Sequence, residues 1–385
     1  MKKNGINLPK KLILVLSFLL TSVSYGSENG KFNIIVDTDM AVDDWPAVMY
    51  VLNQRERANI LGFTVPGNGE SHCNKGVQNL LDLIHLVGRS GEGLDVTCGD
   101  TVPMEGVHTF PAQWRDEVDS FFGLKIPRSP QKATNKTHSV EHLKKMLIKS
   151  NDVVVLTLGP LTNFGRLFKK YPEVKKKIRR IYIMGGSVHA GGNIAKPHYP
   201  NKLKNKYAEF NIWADPLAAK IVFRSGVPIT MVGLDATNQV QVTRKFAKKF
   251  KKMASSKGAK FTDTILDKNG GFIDSGEYFF WDPLTAVAVF EDICKIKTLK
   301  IDVNAEEQKG TTAKEQLQGF IETFALEMGR KQFAGKLLGR KALNELESGR
   351  TFVSKKVGVK KVEVCMGIKS KDNFMGNYMK ILNKF

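Results

Sequence analysis

The sequence predicts an α/β fold in which a mostly parallel central sheet is covered by helices on both faces. Three observations predict it. Strand-like runs alternate with helical stretches along most of the chain. The runs are short and apolar, as strands buried on both faces are. Polar clusters fall just past the strand ends, where ligands sit in open parallel sheets.

Taken in order, residues 32–36 form a first buried strand that delivers acidic residues at its end. Residues 44–53 follow with helical spacing. A second strand is expected over 60–65 and a second helix over 77–87. Residues 110–115 are assigned to a long loop. A strand over 151–157 ends at Gly159-Pro160, before a helix from Leu161. The run 181–184 ends at Gly185-Gly186, and the run 228–233 ends at Leu234-Asp235. Residues 194–208 are rich in Lys, Pro and Asn and read as loop. Residues 311–346 read as a helical insertion, with Leu317, Phe320, Ile321, Phe324 and Met328 as its apolar positions. A final strand over 362–365 and a last helix close the chain.

A chain of 385 residues, 42% hydrophobic, accommodates one large α/β domain, here residues 27–385. The first 26 residues read differently. Four lysines without an acid precede the apolar run 12–20, and small polar residues lead to Gly26. That order is a secretory signal peptide, cleaved after Gly26. An uncleaved anchor is the alternative, but the run is shorter than the roughly 20 residues that span a bilayer. The expected mature protein is exported, periplasmic or secreted, without stable membrane insertion.

The net charge is +21, of which the signal lysines contribute four. The remaining lysines are scattered in short groups such as Lys175-Lys176-Lys177, which fits solvated faces rather than a nucleic-acid surface. No nucleic-acid partner is expected. Cys73, Cys98, Cys294 and Cys365 match no zinc or redox spacing, and a chain this long needs no disulfide to fold. Buried free thiols are the expectation.

The chemistry concentrates after the first strand. Asp37, Asp39, Asp43 and Asp44 place four carboxylates within eight residues. Their repulsion is costly unless a cation neutralises it. Oxygen ligands favour Ca²⁺ or Mg²⁺ over zinc. A helix N-cap would account for Asp43 and Asp44 but not for Asp39. A phosphatase of the DxDx[TV] type is a weaker match, because Ala41 stands at the Thr/Val position.

Three further segments extend the pattern: Leu158-Gly159-Pro160-Leu161-Thr162-Asn163, then Gly185-Gly186 through Asn193 to Glu209-Phe210-Asn211, and finally Trp281-Asp282-Pro283-Leu284. Together and in this order they resemble the inosine-uridine preferring nucleoside hydrolase family over roughly residues 33–290. The resemblance implies hydrolysis of the N-glycosidic bond of nucleosides. It implies Ca²⁺ held by Asp39, Asp44, Asp282 and the main-chain carbonyl of Leu158, with Asp39 also the general base. The family usually has Thr at that last position, and a backbone ligand tolerates Leu. Asp43, Asn193, Glu209 and Asn211 look like the ribose-binding set, with Asn68 and Met184 lining the sugar site. A dimer or tetramer is the oligomer it suggests.

Trp114, in the loop Phe110-Pro111-Ala112-Gln113-Trp114-Arg115, and Trp281 could sandwich a base by stacking. Both resemble the purine-preferring (inosine-adenosine-guanosine) subgroup, which carries an FPxxWR loop and has Trp at the position of Trp281, where unselective members carry His. Purine ribonucleosides are therefore the expected substrates. This chain departs from the family at Met40-Ala41, where Pro-Gly is usual, and in its long 194–208 loop. His189 precedes that loop and His198 lies within it, as proton donors to the leaving base or as plain surface residues. The competing readings are a nucleoside- or ribose-binding protein without turnover, and the phosphatase.

Overall fold

The computed structural model describes residues 30–131, 138–196, 199, 203–305 and 347–384. The expected signal peptide (1–26) and the expected insertion (311–346) lie outside the described residues.

Nine strands form one sheet among the described residues: β1 (Phe32–Asp37), β2 (Ala58–Val65), β3 (Val96–Cys98), β4 (Val153–Thr157), β5 (Ile178–Met184), β6 (Ile229–Val232), β7 (Cys294–Val303), β8 (Thr351–Val353) and β9 (Lys361–Ile368). Their spatial order is β3-β2-β1-β4-β5-β6-β9-β7-β8. From β3 to β9 every pairing is parallel. β7 and β8 close one edge as antiparallel strands. Chain order reverses direction around β1 and β4, which places a crevice at their carboxyl ends.

The helices are α1 (Asp44–Leu52), α2 (Cys73–Leu86), α3 (Ala112–Asp119), α4 (Ser139–Lys149), α5 (Thr162–Lys170), α6 (Phe210–Ala214), α7 (Pro216–Phe223), α8 (Leu234–Thr237), α9 (Arg244–Met253), α10 (Lys257–Lys268), α11 (Gly270–Asp274), α12 (Trp281–Phe290) and α13 (Lys371–Leu382). Two apolar clusters pack on the two faces of the sheet. One holds Ile34, Val36, Val154 and Leu156 with α1, α2 and α12. The other holds Ile35, Val153 and Val155 with α4, α5 and α7. Neighbours in one strand thus serve opposite cores, so the strands read as unbroken apolar runs. All nine residues of α1 are buried, because it packs against α12 beneath the peripheral α10 and α13.

Several expectations need correction. Residues 112–119 are helix α3 rather than loop, which sets Trp114 and Glu117 three positions apart on one helical turn. β7 begins with a stretch of exposed side chains, Lys295 to Lys297 among them, so its apolar signal is diluted. The lysines suit an edge region that must not pair with another chain. The cysteines are not free: Cys73 is bonded to Cys98, and Cys294 to Cys365. The first bond joins the start of α2 to the end of β3. The second crosses the antiparallel pair β7–β9, where the register brings the two Cα atoms to 5.2 Å.

Candidate active site

The first strand ends with its carboxylates divided between two tasks. Asp37 turns inward, where its carboxylate accepts from the Thr64 hydroxyl and from Asn163 Nδ2 at 2.7 Å. It does not line the cavity described below. Burial pushes its carboxyl up to about 7 despite those bonds. Asn163 is therefore structural. So is Asp215, which caps α7 by accepting from Ala218 N–H at 3.0 Å and from the Thr162 hydroxyl at 2.7 Å.

Asp39 and its neighbours face the other way, into a cavity of about 350 Å³ beyond the carboxyl ends of the strands. Met40 occupies the left-handed region (φ 60°), and its carbonyl accepts from Trp45 Nε1 at 2.8 Å. A non-glycine residue there costs about 1 kcal/mol. This kink separates Asp39 from the α1 acids. Asp39 Oδ2 accepts from Glu70 N–H at 2.9 Å, and a Cβ on Gly159 would sit 2.7 Å from its own Cβ. Glycine at 159 lets the β4 loop come that close. Asp44 opens α1, with Oδ1 accepting from the Thr38 hydroxyl and Oδ2 from Ala41 N–H at 3.0 Å. Asp43 stands at the N-cap position but caps nothing, leaving its carboxylate for the cavity.

Asp282 arrives from the first turn of α12, more than 230 residues later in the chain. Its carboxylate oxygens and those of Asp43 and Asp44 include atoms all within 4.8 Å of one another. Both Asp282 oxygens are buried and receive no hydrogen bond. Burial, then the charges of Asp43 and Asp44, hold its carboxyl well above the usual range. The same causes act on Asp44, with Asp39 the first of the charges. Burial and then Asp39 push Asp43 up to about 7. Burial also raises Asp39. Among the described residues that line the cavity there is no Lys, Arg or His. A hard divalent cation fits this donor set: it would neutralise several uncompensated carboxylates and satisfy the orphaned Asp282 oxygens.

The opposite wall comes from the β4 and β5 ends and from α6. Glu209 caps α6, accepting from Asn211 N–H at 2.9 Å and Ile212 N–H at 3.2 Å, and also from Gly186 N–H at 3.0 Å. Burial pushes its carboxyl up to about 7. Asn193 Oδ1 accepts from Phe210 N–H at 3.0 Å, which anchors the loop to α6. Asn211 Nδ2 donates to the Leu158 carbonyl at 2.9 Å, with Met184 O and Sδ each at 3.3 Å. Leu158, Met184, Asn193, Glu209 and Asn211 all line the cavity.

Aromatic rings close the outer end. Trp114 meets Tyr199 edge-on at 4.9 Å and leans on Phe210 at 5.5 Å. Trp281 packs among Phe272, Tyr278 and Phe279, at 6.2, 6.2 and 5.7 Å. Its Nε1–H is buried without a partner.

The structure brings Asp39, Asp43, Asp44, Leu158, Met184, Asn193, Glu209, Asn211, Trp114, Trp281 and Asp282 to one cavity. Asn68 is the exception. It is 2% exposed, does not line the cavity, and both polar atoms of its side chain are buried without partners. His189 is exposed and outside the wall, where its backbone N–H donates to Asp235. His198 lies outside the described residues. Sequence reasoning missed Glu70, Glu117, Phe122, Asn269 and Phe272 as lining residues. For Glu117 a signal existed: helical spacing from Trp114 would have put both on one face.

The family model for the inosine-uridine preferring nucleoside hydrolase matches residues 34–373. Nucleoside hydrolase 3 of Arabidopsis thaliana is 28% identical over 334 residues, a match covering 70% of this chain but only 37% of that protein. The pyrimidine-specific ribonucleoside hydrolase RihA of Photobacterium profundum is 33% identical over 237 residues, covering 61% of this chain and 70% of that one. A purine-preferring ribonucleoside hydrolase from Gardnerella vaginalis superposes with a TM-score of 0.67 at 26% identity, covering 91% of this chain and 98% of that one.

Proposed function

The chain belongs to the inosine-uridine preferring nucleoside hydrolase family, and from that premise we propose that it hydrolyses the N-glycosidic bond of ribonucleosides, purines first, in a Ca²⁺-dependent reaction. The observation that carries this reading is the convergence of Asp39, Asp43, Asp44, Glu209 and Asp282 on one cavity whose described lining contains no Lys, Arg or His. Asp39, Asp44, Asp282 and the Leu158 carbonyl would hold the ion. When bound, Ca²⁺ would offset the carboxylates and lower the pKa of water beside them.

Asp39 then serves as general base, taking a proton from the water that attacks C1′. Asp43, Asn193, Glu209 and Asn211 grip the ribose hydroxyls. Asn211 can do so because its amide is already oriented by Leu158 and Met184. Positive charge developing on the ribosyl ring is favoured by the surrounding acids. Trp114 and Trp281 offer aromatic faces to the base, which supports a purine preference. The relatives differ on this point in their names, one pyrimidine-specific and one purine-preferring, so the base is the finer part of the proposal. Residues 1–26 as an export signal are supported by two disulfides, which persist in oxidising compartments.

Released reducing sugar from a panel of inosine, adenosine, guanosine, uridine and cytidine, with Ca²⁺ and with chelator, tests the whole reading. Inosine should be cleaved fastest, and chelator should abolish cleavage. Ribose release unaffected by chelator would remove the metal, and a faster uridine reaction would remove the purine assignment. Binding of inosine without release of ribose would leave a nucleoside-binding protein instead.

A further inference from the structure

The turn between β8 and β9 carries charge and apolar surface that the catalytic reading leaves unused. Residues 353–362 read Val-Ser-Lys-Lys-Val-Gly-Val-Lys-Lys-Val, four lysines without an acid, an arginine or an aromatic ring. Ser354 N–H donates to the Lys300 carbonyl at 2.8 Å, and Lys356 N–H to the Ser354 hydroxyl at 3.2 Å. Val359 is buried and ties down the far limb. Gly358 (φ 87°) turns the chain in open space, with nothing within 4 Å of its Cβ position. Val357 is left 100% exposed, the highest value of any large hydrophobic among the described residues. Val353, at the base of the same turn, is exposed as well.

Lysines surround these valines. Lys355, Lys356, Lys360 and Lys361 are all exposed. The β7–β9 register sets Lys300 directly opposite Lys361, a like-charge pair that costs stability. None of the five pairs with an acid among the described residues, whereas Lys170, Lys251 and Lys369 each meet one within 2.7 Å. The acids of β7 and β9, Asp302 and Glu363, are taken by Arg224 and Arg180.

A branched apolar side chain gains nothing from full exposure to water, and unpaired lysines repel one another. A surface with anionic headgroups over an apolar layer satisfies both. Nucleic acid answers only the charge, because its bases find no ring or guanidinium here to stack on. We propose that the β8–β9 turn docks the protein reversibly on an anionic phospholipid surface, with Val357 as the apolar tip and Lys300, Lys355, Lys356, Lys360 and Lys361 facing the headgroups. Five charges and one short side chain make a peripheral attachment rather than an anchor. β9 runs parallel to β6, so its amino end, where the turn sits, lies at the end of the sheet away from the cavity. Docking there leaves the cavity mouth open to solvent.

Sedimentation of the full chain with phosphatidylcholine vesicles, prepared with and without phosphatidylglycerol, tests this. Residues 1–26 are common to every form, so ratios between forms read the turn alone. Phosphatidylglycerol should raise partition of the wild-type protein about tenfold or more, at about fivefold per lysine engaged. K355Q/K356Q/K360Q/K361Q should remove that gain, and V357S should lower partition about threefold or more. All these positions are exposed, and far-UV CD checks that the variants fold. Equal partition of wild type and quadruple variant on the anionic vesicles would overturn the proposal. Undiminished partition of V357S would overturn the apolar tip. Protein held by a DNA duplex in preference to the vesicles would give the lysines to nucleic acid and overturn the lipid assignment. Inosine cleavage should be unchanged by vesicles, and a fall on adding them would overturn the orientation. Attachment is read without catalysis, so it stands or falls apart from the hydrolase reading.

Discussion

Two aspartates of this protein are equally buried and behave in opposite ways. Asp282 in the cavity and Asp302 on β7 are each 1% exposed. Asp302 meets Arg224, whose Nε and a terminal nitrogen donate at 3.0 and 2.8 Å, and it also accepts from Val303 N–H at 3.0 Å. Burial would raise its carboxyl, but those bonds outweigh burial and hold it below the usual range. Asp282 has the burial and the neighbouring acids without any donor, and its carboxyl is held well above. The sheet edge satisfies its buried charge within the chain. The cavity leaves its charge for something brought from outside. That contrast separates a carboxylate satisfied within the chain from one left without a donor better than burial or residue type does.

The contrast can be broken most sharply at Asp282. Asp282→Asn should lower ribose release by about a thousandfold or more, and it should abolish the rise in Tm expected when Ca²⁺ is added to the wild-type protein. A variant that keeps the Ca²⁺-dependent Tm shift would show that Asp282 is no ligand. Trp281→Ala should lower kcat/KM for inosine by about 10- to 100-fold, the worth of one stacked base, with the far-UV CD spectrum unchanged. Unaltered turnover in that folded variant would remove stacking from the account.

The pH response sharpens the comparison further. In the ion-free protein, Asp43 and Glu209 titrate near 7, above their unfolded values of about 4. Their protonated forms contribute stability that is full below about pH 4 and is lost as pH rises through about 7. Asp302 has the opposite sign: its contribution is present above about pH 4 and is lost as pH falls. Removing Ca²⁺ should therefore lower Tm more at pH 8 than at pH 5, by about 3 °C or more. An equal loss at both pH values would contradict the assignment of uncompensated acids. The smallest effect belongs to the sheet edge. Asp302→Asn should cost about 2 kcal/mol in urea unfolding and change kcat for inosine by less than about twofold. A loss of activity larger than the loss of stability explains would connect β7 to the site.

The legible parts of the molecule were those whose signal is local. β1 announces itself as an apolar run ending in acids, and the fully buried α1 follows at once. Asp282 is different: nothing near it says metal, and only the ordered set of motifs tied it to Asp39. β7 stayed hidden because Lys295 and Lys297 are exposed at its start, so its pattern resembles a solvated loop. The disulfides were missed because pairing depends on where α2 meets β3 and on how β9 registers with β7. Trp114 was placed in a loop with the rest of residues 110–115, whereas Pro111 in fact introduces α3. Asn68 shows the limit of motif transfer, since its neighbour Glu70 faces the cavity and it does not.

The bond between Cys294 and Cys365 encloses 70 intervening positions in a covalent ring. A protease that severs the backbone once inside that ring would not release either piece. The nicked protein would run as one band on a non-reducing gel and as two after thiol treatment. Because β7 and β9 remain zipped beside the bond, such a clipped molecule should still cleave inosine.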